Sequence, residues 1–192
     1  MPKVETFNKE AVIKQATEVF HRKSYSLTSM QDLVDATGLN RSSIYNSFGS
    51  KLDLYMVCLK DYQASFKCTV EKVLSNVNSP IQAIEAIFNL NVKNNKANNN
   101  IGCLINNCTS EMANQEVTIN NFLNNNHKNM IQLFQELIEK GQQEGSINNN
   151  NSSHGYALYL LNAIQGLSIS GILMNDCNQL EGIVKTTLSI LK

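Results

Sequence analysis

Apolar residues recur along most of this 192-residue chain at the three-and-four spacing of amphipathic helices, and no segment reads as a convincing strand. Val12, Ile13, Ala16, Val19 and Phe20 form one stripe over residues 9–23, which predicts a first helix ending near Ser24-Tyr25. Thr28 has the hydroxyl of an N-cap for a second helix, TSMQDLVDATG, with Met30, Leu33 and Val34 facing inward. Gly38 falls where a tight turn between two helices needs a left-handed residue. Asn40 can cap a short third helix, RSSIYNSF, whose inward residues are Ile44 and Phe48. Ser50 caps a long fourth helix from residue 51 to about residue 74.

Pro80 suits the first turn of a fifth helix, IQAIEAIFNL. The Asn-rich run over 91–100 then reads as a loop or frayed end, because asparagine competes with the helix for backbone hydrogen bonds. A short sixth helix begins within IGCLINNCTSEMA. A seventh, about 115–140, carries Ile119, Leu123, Met130, Phe134 and Leu137 on one side and ends at Gly141 and Gly145. The eighth, about 152–174, is apolar nearly all round and must be buried on two sides. The ninth, about 179–191, stripes Leu180, Ile183, Val184, Thr187, Leu188 and Leu191. The expectation is an all-α chain of about nine helices, with a three-helix head over residues 1–50 and a larger helical domain over 51–192.

Composition narrows the classes. No apolar run approaches the roughly 18 residues of a membrane span, and MPKVETFNKE has no apolar secretory segment, so no membrane contact is expected. Five cysteines without a C-x-x-C pair fit neither a disulfide scaffold nor a zinc site, which points to a reducing cytoplasm. No phosphate-binding glycine loop, metalloprotease motif or nucleophile elbow is present, and His21, His127 and His154 show no ligand spacing. No catalytic residue, metal or cofactor is therefore expected. Zero net charge argues against a histone-like coat on nucleic acid. Residues 1–60 nevertheless hold eight Lys/Arg against six Asp/Glu, and residues 61–192 hold eight against ten, so the head carries +2 and the rest −2. That sign suits a nucleic-acid-binding head on a neutral-to-acidic body.

The run FHRKSYSLTSMQDLVDATGLNRSSIYNSFGSKLDLY (20–55) resembles the N-terminal domain of TetR-type transcriptional regulators. The resemblance is carried by T-S-M-x-D-L-V from Thr28, A-T-G-L from Ala36 and I-Y-x-x-F-x-S-K-x-D-L from Ile44. It covers about residues 6–66, and beyond that it is one of architecture. It implies a helix-turn-helix whose second helix enters the major groove of a palindromic DNA operator. The residues implied to touch DNA are Thr28, Ser29, Asn40, Arg41, Ser42, Tyr45, Asn46 and Lys51. Arg41 can pair with guanine and Asn46 with adenine, while Thr28, Tyr45 and Lys51 suit phosphates. Other readings stay open: Thr28 as a plain cap, Tyr45 as a buried ring, Arg41 as a solvated cation. The chain departs from the family at Ser24, where a glycine is usual, and at Asn46-Ser47, where bulkier residues are common.

For the body, the resemblance implies a homodimer, a small-molecule effector and most often repression. The interface is expected from Tyr159, Ala163, Gly166, Leu167, Ser170, Ile183, Thr187 and Leu191 on the last two helices. The effector pocket is expected among Phe66, Phe88, Cys103, Met112, Phe122, His127, Met130 and Phe134, each of which has plain core as its alternative. His127 falls four residues after Leu123 and is expected on the apolar side, in need of a polar partner. Cys103, opening the sixth helix, is either a small buried hydrophobe or a thiol that responds to electrophiles, with Cys108 able to resolve it. A helical adaptor that binds protein through the head is the rival function.

Overall fold

The computed structural model describes residues 7–192, so the N-terminal stretch 1–6, where the sequence predicts no secretory signal, lies outside the described residues. All regular structure among them is helical: α1 (Lys9–Leu27), α2 (Met30–Thr37), α3 (Arg41–Phe48), α4 (Lys51–Leu74), α5 (Pro80–Ala97), α6 (Leu104–Met112), α7 (Val117–Glu144), α8 (Ser153–Leu173), α9 (Cys177–Leu188) and a closing 3-10 turn, Ser189–Leu191. The chain divides into two compact units between Ser65 and Phe66, inside α4.

In the first unit, the stripe Val12, Ala16 and Phe20 of α1 is buried along with Leu33 of α2, Ile44 and Phe48 of α3, and Leu54, Tyr55, Cys58 and Leu59 of α4. Phe20, Tyr25 and Tyr55 form an aromatic cluster with ring centroids 4.7–6.2 Å apart. Burial pushes the Cys58 thiol up to about 12, so this cysteine is an inert core residue. Local signals set the helix ends. Asn40 caps α3 by accepting from the Ser43 amide at 2.8 Å. Gly38 closes α2 with φ 68°. Ser50 and Asp53 exchange bonds across the start of α4.

Two expectations near residue 24 are revised. The first helix does not stop there: helical turns resume and run to Leu27 around a kink in which Ser24 has φ 66° and ψ 168°. That region is essentially reserved for glycine and costs about 1–3 kcal/mol for other residues. Thr28 is also not the N-cap of α2. Ser29 is, because its hydroxyl accepts from the Asp32 amide while the Asp32 carboxylate accepts from the Ser29 amide. A Ser24→Gly variant is expected to melt about 2–4 °C higher, since relief of strain exceeds the roughly 0.5–1 kcal/mol of extra unfolded-state entropy. A scan by circular dichroism checks this; an unchanged or lower midpoint would show that the kink is unstrained.

The core of the second unit joins α5, α7, α8 and α9 through Ile84, Ile87, Phe88, Phe134, Ile138, Tyr156, Leu160, Leu167, Leu188 and Leu191. α6 packs on α7. The Asn-rich run after residue 90 continues α5 to Ala97, with Asn95 buried, instead of leaving the helix. Gly141 does not end α7; the helix continues to Glu144 and Gly145 caps it with φ 75°. Gly141 is there because Ile147 folds back onto it, so a side chain at that position would collide with the Ile147 side chain. α8 is long and apolar enough to cross a membrane by length and mean hydropathy of 1.3, contrary to the expectation that no segment is. Eight of its residues are nonetheless buried inside this unit, among them Tyr156, Leu160 and Leu167, as befits a core helix.

Candidate nucleic-acid interface and the helical body

α2, the Gly38 corner and α3 form a helix-turn-helix in which Leu33, Ile44 and Phe48 are the inward anchors. Rotating away from Ile44 and Phe48, positions 41, 42, 45 and 46 share one helical face, and Arg41, Ser42, Tyr45 and Asn46 are all exposed there. Tyr45 keeps 49 % of its surface, so its ring is not core. Arg41 begins α3 and donates from Nη2 to Gln31 Oε1 at 3.3 Å. Gln31 in turn donates from Nε2 to Asp35 Oδ1 at 2.7 Å. The carboxylate can only accept, so it turns the Gln31 carbonyl toward the guanidinium. Gln31 was not foreseen from the sequence, because its partner lies ten positions away on another helix.

Two expected phosphate contacts make hydrogen bonds within the chain. Thr28 is 1 % exposed and donates its hydroxyl to the Ser24 carbonyl at 2.6 Å, so that group faces inward. Lys51 donates to the carbonyls of Tyr25 at 3.0 Å and Thr28 at 2.9 Å, with its Nζ 4.2 Å from the Tyr25 ring centroid. It clamps the start of α4 to the turn between α1 and α2. Ser29 is exposed but its hydroxyl serves the α2 cap. Beside it, the Lys23 ammonium at 2.6 Å, together with the Ser29 amide and hydroxyl, lowers the Asp32 carboxyl to about 2. Asp32 and its lysine fix the corner and leave Arg41, Ser42, Tyr45 and Asn46 as the open polar face.

Comparison with known proteins bears on this arrangement. Residues 12–56 match the family model described as bacterial regulatory proteins, tetR family. The transcriptional repressor ComR of Escherichia coli is 29% identical over 192 residues, covering 98% of this chain and 90% of its own. The uncharacterized HTH-type regulator YezE of Bacillus subtilis is 26% identical over 187 residues, covering 96% of each chain. A cysteine mutant of the TetR-family regulator CifR, solved with 26-bp operator DNA, superposes with a TM-score of 0.87 at 20% identity, covering 97% of this chain and 98% of that one. The head carries the DNA-binding domain of the tetR family over residues 12–56, and the whole chain is similar to HTH-type transcriptional regulators.

In the body, four of the expected pocket residues come together. Phe88 and Phe134 are buried with ring centroids 6.1 Å apart, and Phe66 and Met130 pack against the same core. Met112 is buried and Phe122 half-buried, outside that cluster. His127 is corrected: it is exposed. The inward side of α7 runs through buried Leu123 and half-buried Asn126 and Met130 to buried Phe134, and a 3.6-residue period leaves position 127 just off its edge. Cys103 is the half-buried N-cap residue of α6, its side chain making no cap bond, and Cys108 is fully buried.

The expected interface residues divide. Tyr159, Gly166 and Ile183 are exposed, and Ala163 and Ser170 half-buried. Leu167, Thr187 and Leu191 are corrected: each is buried within the chain itself, Leu167 on α8, Thr187 on α9 and Leu191 in the closing 3-10 turn. The exposed apolar residues that periodicity missed are Leu158, Ile169, Ile172 and Leu173 on α8, and Ile190. An all-apolar helix shows that two sides are covered without marking which side is covered by the same chain.

Proposed function

We propose that the chain is a homodimeric repressor that reads a palindromic operator through the exposed face of α3 and releases it when a small molecule binds in the body. The observation that carries the DNA reading is the α3 face itself: short polar side chains and one arginine, set on a helix anchored from behind by fully packed Ile44 and Phe48. Such a face suits base edges in the major groove. Arg41 reads a base, Asn46, Ser42 and Asn40 flank it, and the Tyr45 hydroxyl reaches a phosphate. ComR is named a repressor, and the CifR structure holds operator DNA, which supports the same roles here. A single head neutralises few phosphates, so two heads on one symmetric dimer supply the affinity.

The apolar exposed face of α8 and α9 supports that dimer. Leu158, Tyr159, Ile169, Ile172, Leu173 and Ile183 leave more apolar surface on two adjacent helices than isolated surface residues explain. A side chain added at Gly166 or Gly182 would meet nothing within 4 Å in this chain, so the close approach that glycine permits there serves a facing helix. The test is titration of the duplex beside the protein's own coding sequence at two salt concentrations. Saturable, dimer-sized binding that weakens as salt rises is expected; no saturable binding would favour a helical adaptor.

A second reading has the regulator sense thiol modification at Cys103. It is favoured by the half-buried position of that residue at the N-cap of α6. Alkylation of Cys103 with no change in operator affinity would remove it.

A further inference from the structure

A seam of polar side chains joins α5 to α8 inside the body. Ser168 donates its hydroxyl to the Ile164 carbonyl at 3.0 Å, which leaves only its lone pairs for a neighbour. Asn91 meets them with Nδ2 at 2.7 Å. That contact fixes the amide: Nδ2 faces Ser168, and Oδ1 faces away. Reversing the group would set an acceptor against a hydroxyl already donated elsewhere. One turn along α5, Asn95 is occupied on both sides, accepting from the Gly102 amide at 3.2 Å and donating to the Ser168 carbonyl at 3.4 Å. Asn91 Oδ1, by contrast, is shielded from solvent and has no partner; among the described residues it is the only buried side-chain nitrogen or oxygen in that condition. A buried acceptor left in this way is costly and calls for a donor.

We infer that Asn91 Oδ1 anchors the hydrogen-bond donor of a neutral, largely apolar small molecule. This rests on the effector reading above and gives it a chemistry. The donor is an O–H or N–H, because the open atom is a carbonyl oxygen. The molecule is neutral, because the buried neighbours of Asn91 along α5, Ile87, Phe88, Val92 and Asn95, and Ser168 facing it offer no countercharge. It is apolar around the donor, because Ile87, Phe88 and Val92 beside Asn91 on α5 belong to the core that contains Phe134 and Ile164. Aldehydes, quinones and carboxylates, which bring only acceptors, do not fit. The sequence hid this residue inside an asparagine-rich run that composition alone reads as a loop.

The test uses matched probes on the full-length protein: phenol against anisole, and cyclohexanol against cyclohexyl methyl ether. Binding is followed by calorimetry and operator release by fluorescence anisotropy, each in the parent and in Asn91→Leu. The alcohol is expected to bind the parent roughly tenfold more tightly than its ether, and Asn91→Leu, which keeps the seam filled, is expected to bind the two equally. Equal binding in the parent, binding of neither, or a preference retained in Asn91→Leu overturns the inference and leaves Asn91 Oδ1 to an internal water. The ratio in the parent decides the matter even where the variant folds poorly. If the alcohol binds with the expected preference but leaves the operator bound, the anchor stands and the effector reading falls. If alcohol and ether release the operator equally, the effector reading stands and the anchor falls.

Discussion

An Arg41→Ala variant is expected to lose roughly 30-fold to 10⁴-fold in operator affinity while melting at the temperature of the parent. Each bidentate arginine–guanine pair contributes about 1–3 kcal/mol of discrimination, and a symmetric dimer loses one in each half-site. Stability is unaffected because Arg41 is exposed and its described bond is to another exposed side chain, Gln31. A base contact and a phosphate contact separate in two further ways. Loss of a base contact relaxes the preference at one base pair of each half-site and leaves the salt slope nearly unchanged; loss of a phosphate contact weakens every sequence alike and flattens the slope by about one unit per phosphate. Anisotropy titrations against the operator, single-base variants of it and an unrelated duplex therefore assign the role. Uniform weakening across all three would move Arg41 to the backbone. Tyr45→Phe is the natural companion: with its hydroxyl on a phosphate, it shows the uniform loss that Arg41→Ala does not.

What could be read from the sequence follows from how local each determinant is. Asn40, Gly38 and Ser50 act within four residues of themselves, so the ends of α2, α3 and α4 were visible as residue types at fixed offsets. The Thr28–Ser29 shift shows the resolution of that method. Both residues carry hydroxyls, and the decision belongs to Asp32, three residues after Ser29, which completes a reciprocal cap. Lys51 was illegible for the opposite reason: the carbonyls that hold it lie 23 and 26 positions away, while the family resemblance and its place in the first turn of α4 suggested a phosphate. Asn91 and Asn95 stay helical against their propensity, held by bonds to Ser168 and Gly102, an override that no local rule contains. Ser24 is the clearest local conflict, a side chain where the backbone asks for none, at the position where the family it resembles usually carries glycine.

A Leu173→Asp variant is expected to run at the mass of a single chain and to bind the operator roughly 10²- to 10⁴-fold more weakly, the gain that linking two heads supplies. Leu173 is 84 % exposed, so within one chain the new carboxylate lies in water and the fold tolerates it. In a dimer joined through α8 and α9 the same carboxylate would be buried twice across the axis without a partner, a cost larger than an interface of ordinary size can absorb. Leu167→Asp is the control that separates interface from core. It lies six residues earlier on the same helix but is 2 % exposed, within the cluster shared with α5 and α7, so it should unfold the body outright. Sedimentation and thermal melting together distinguish the outcomes. A folded monomer from Leu173→Asp beside an unfolded chain from Leu167→Asp assigns the outer side of α8 to the partner subunit and the inner side to the core. A folded Leu173→Asp dimer would move the interface off this face, and the apolar surface of Ile169, Ile172 and Leu173 would then need a different occupant.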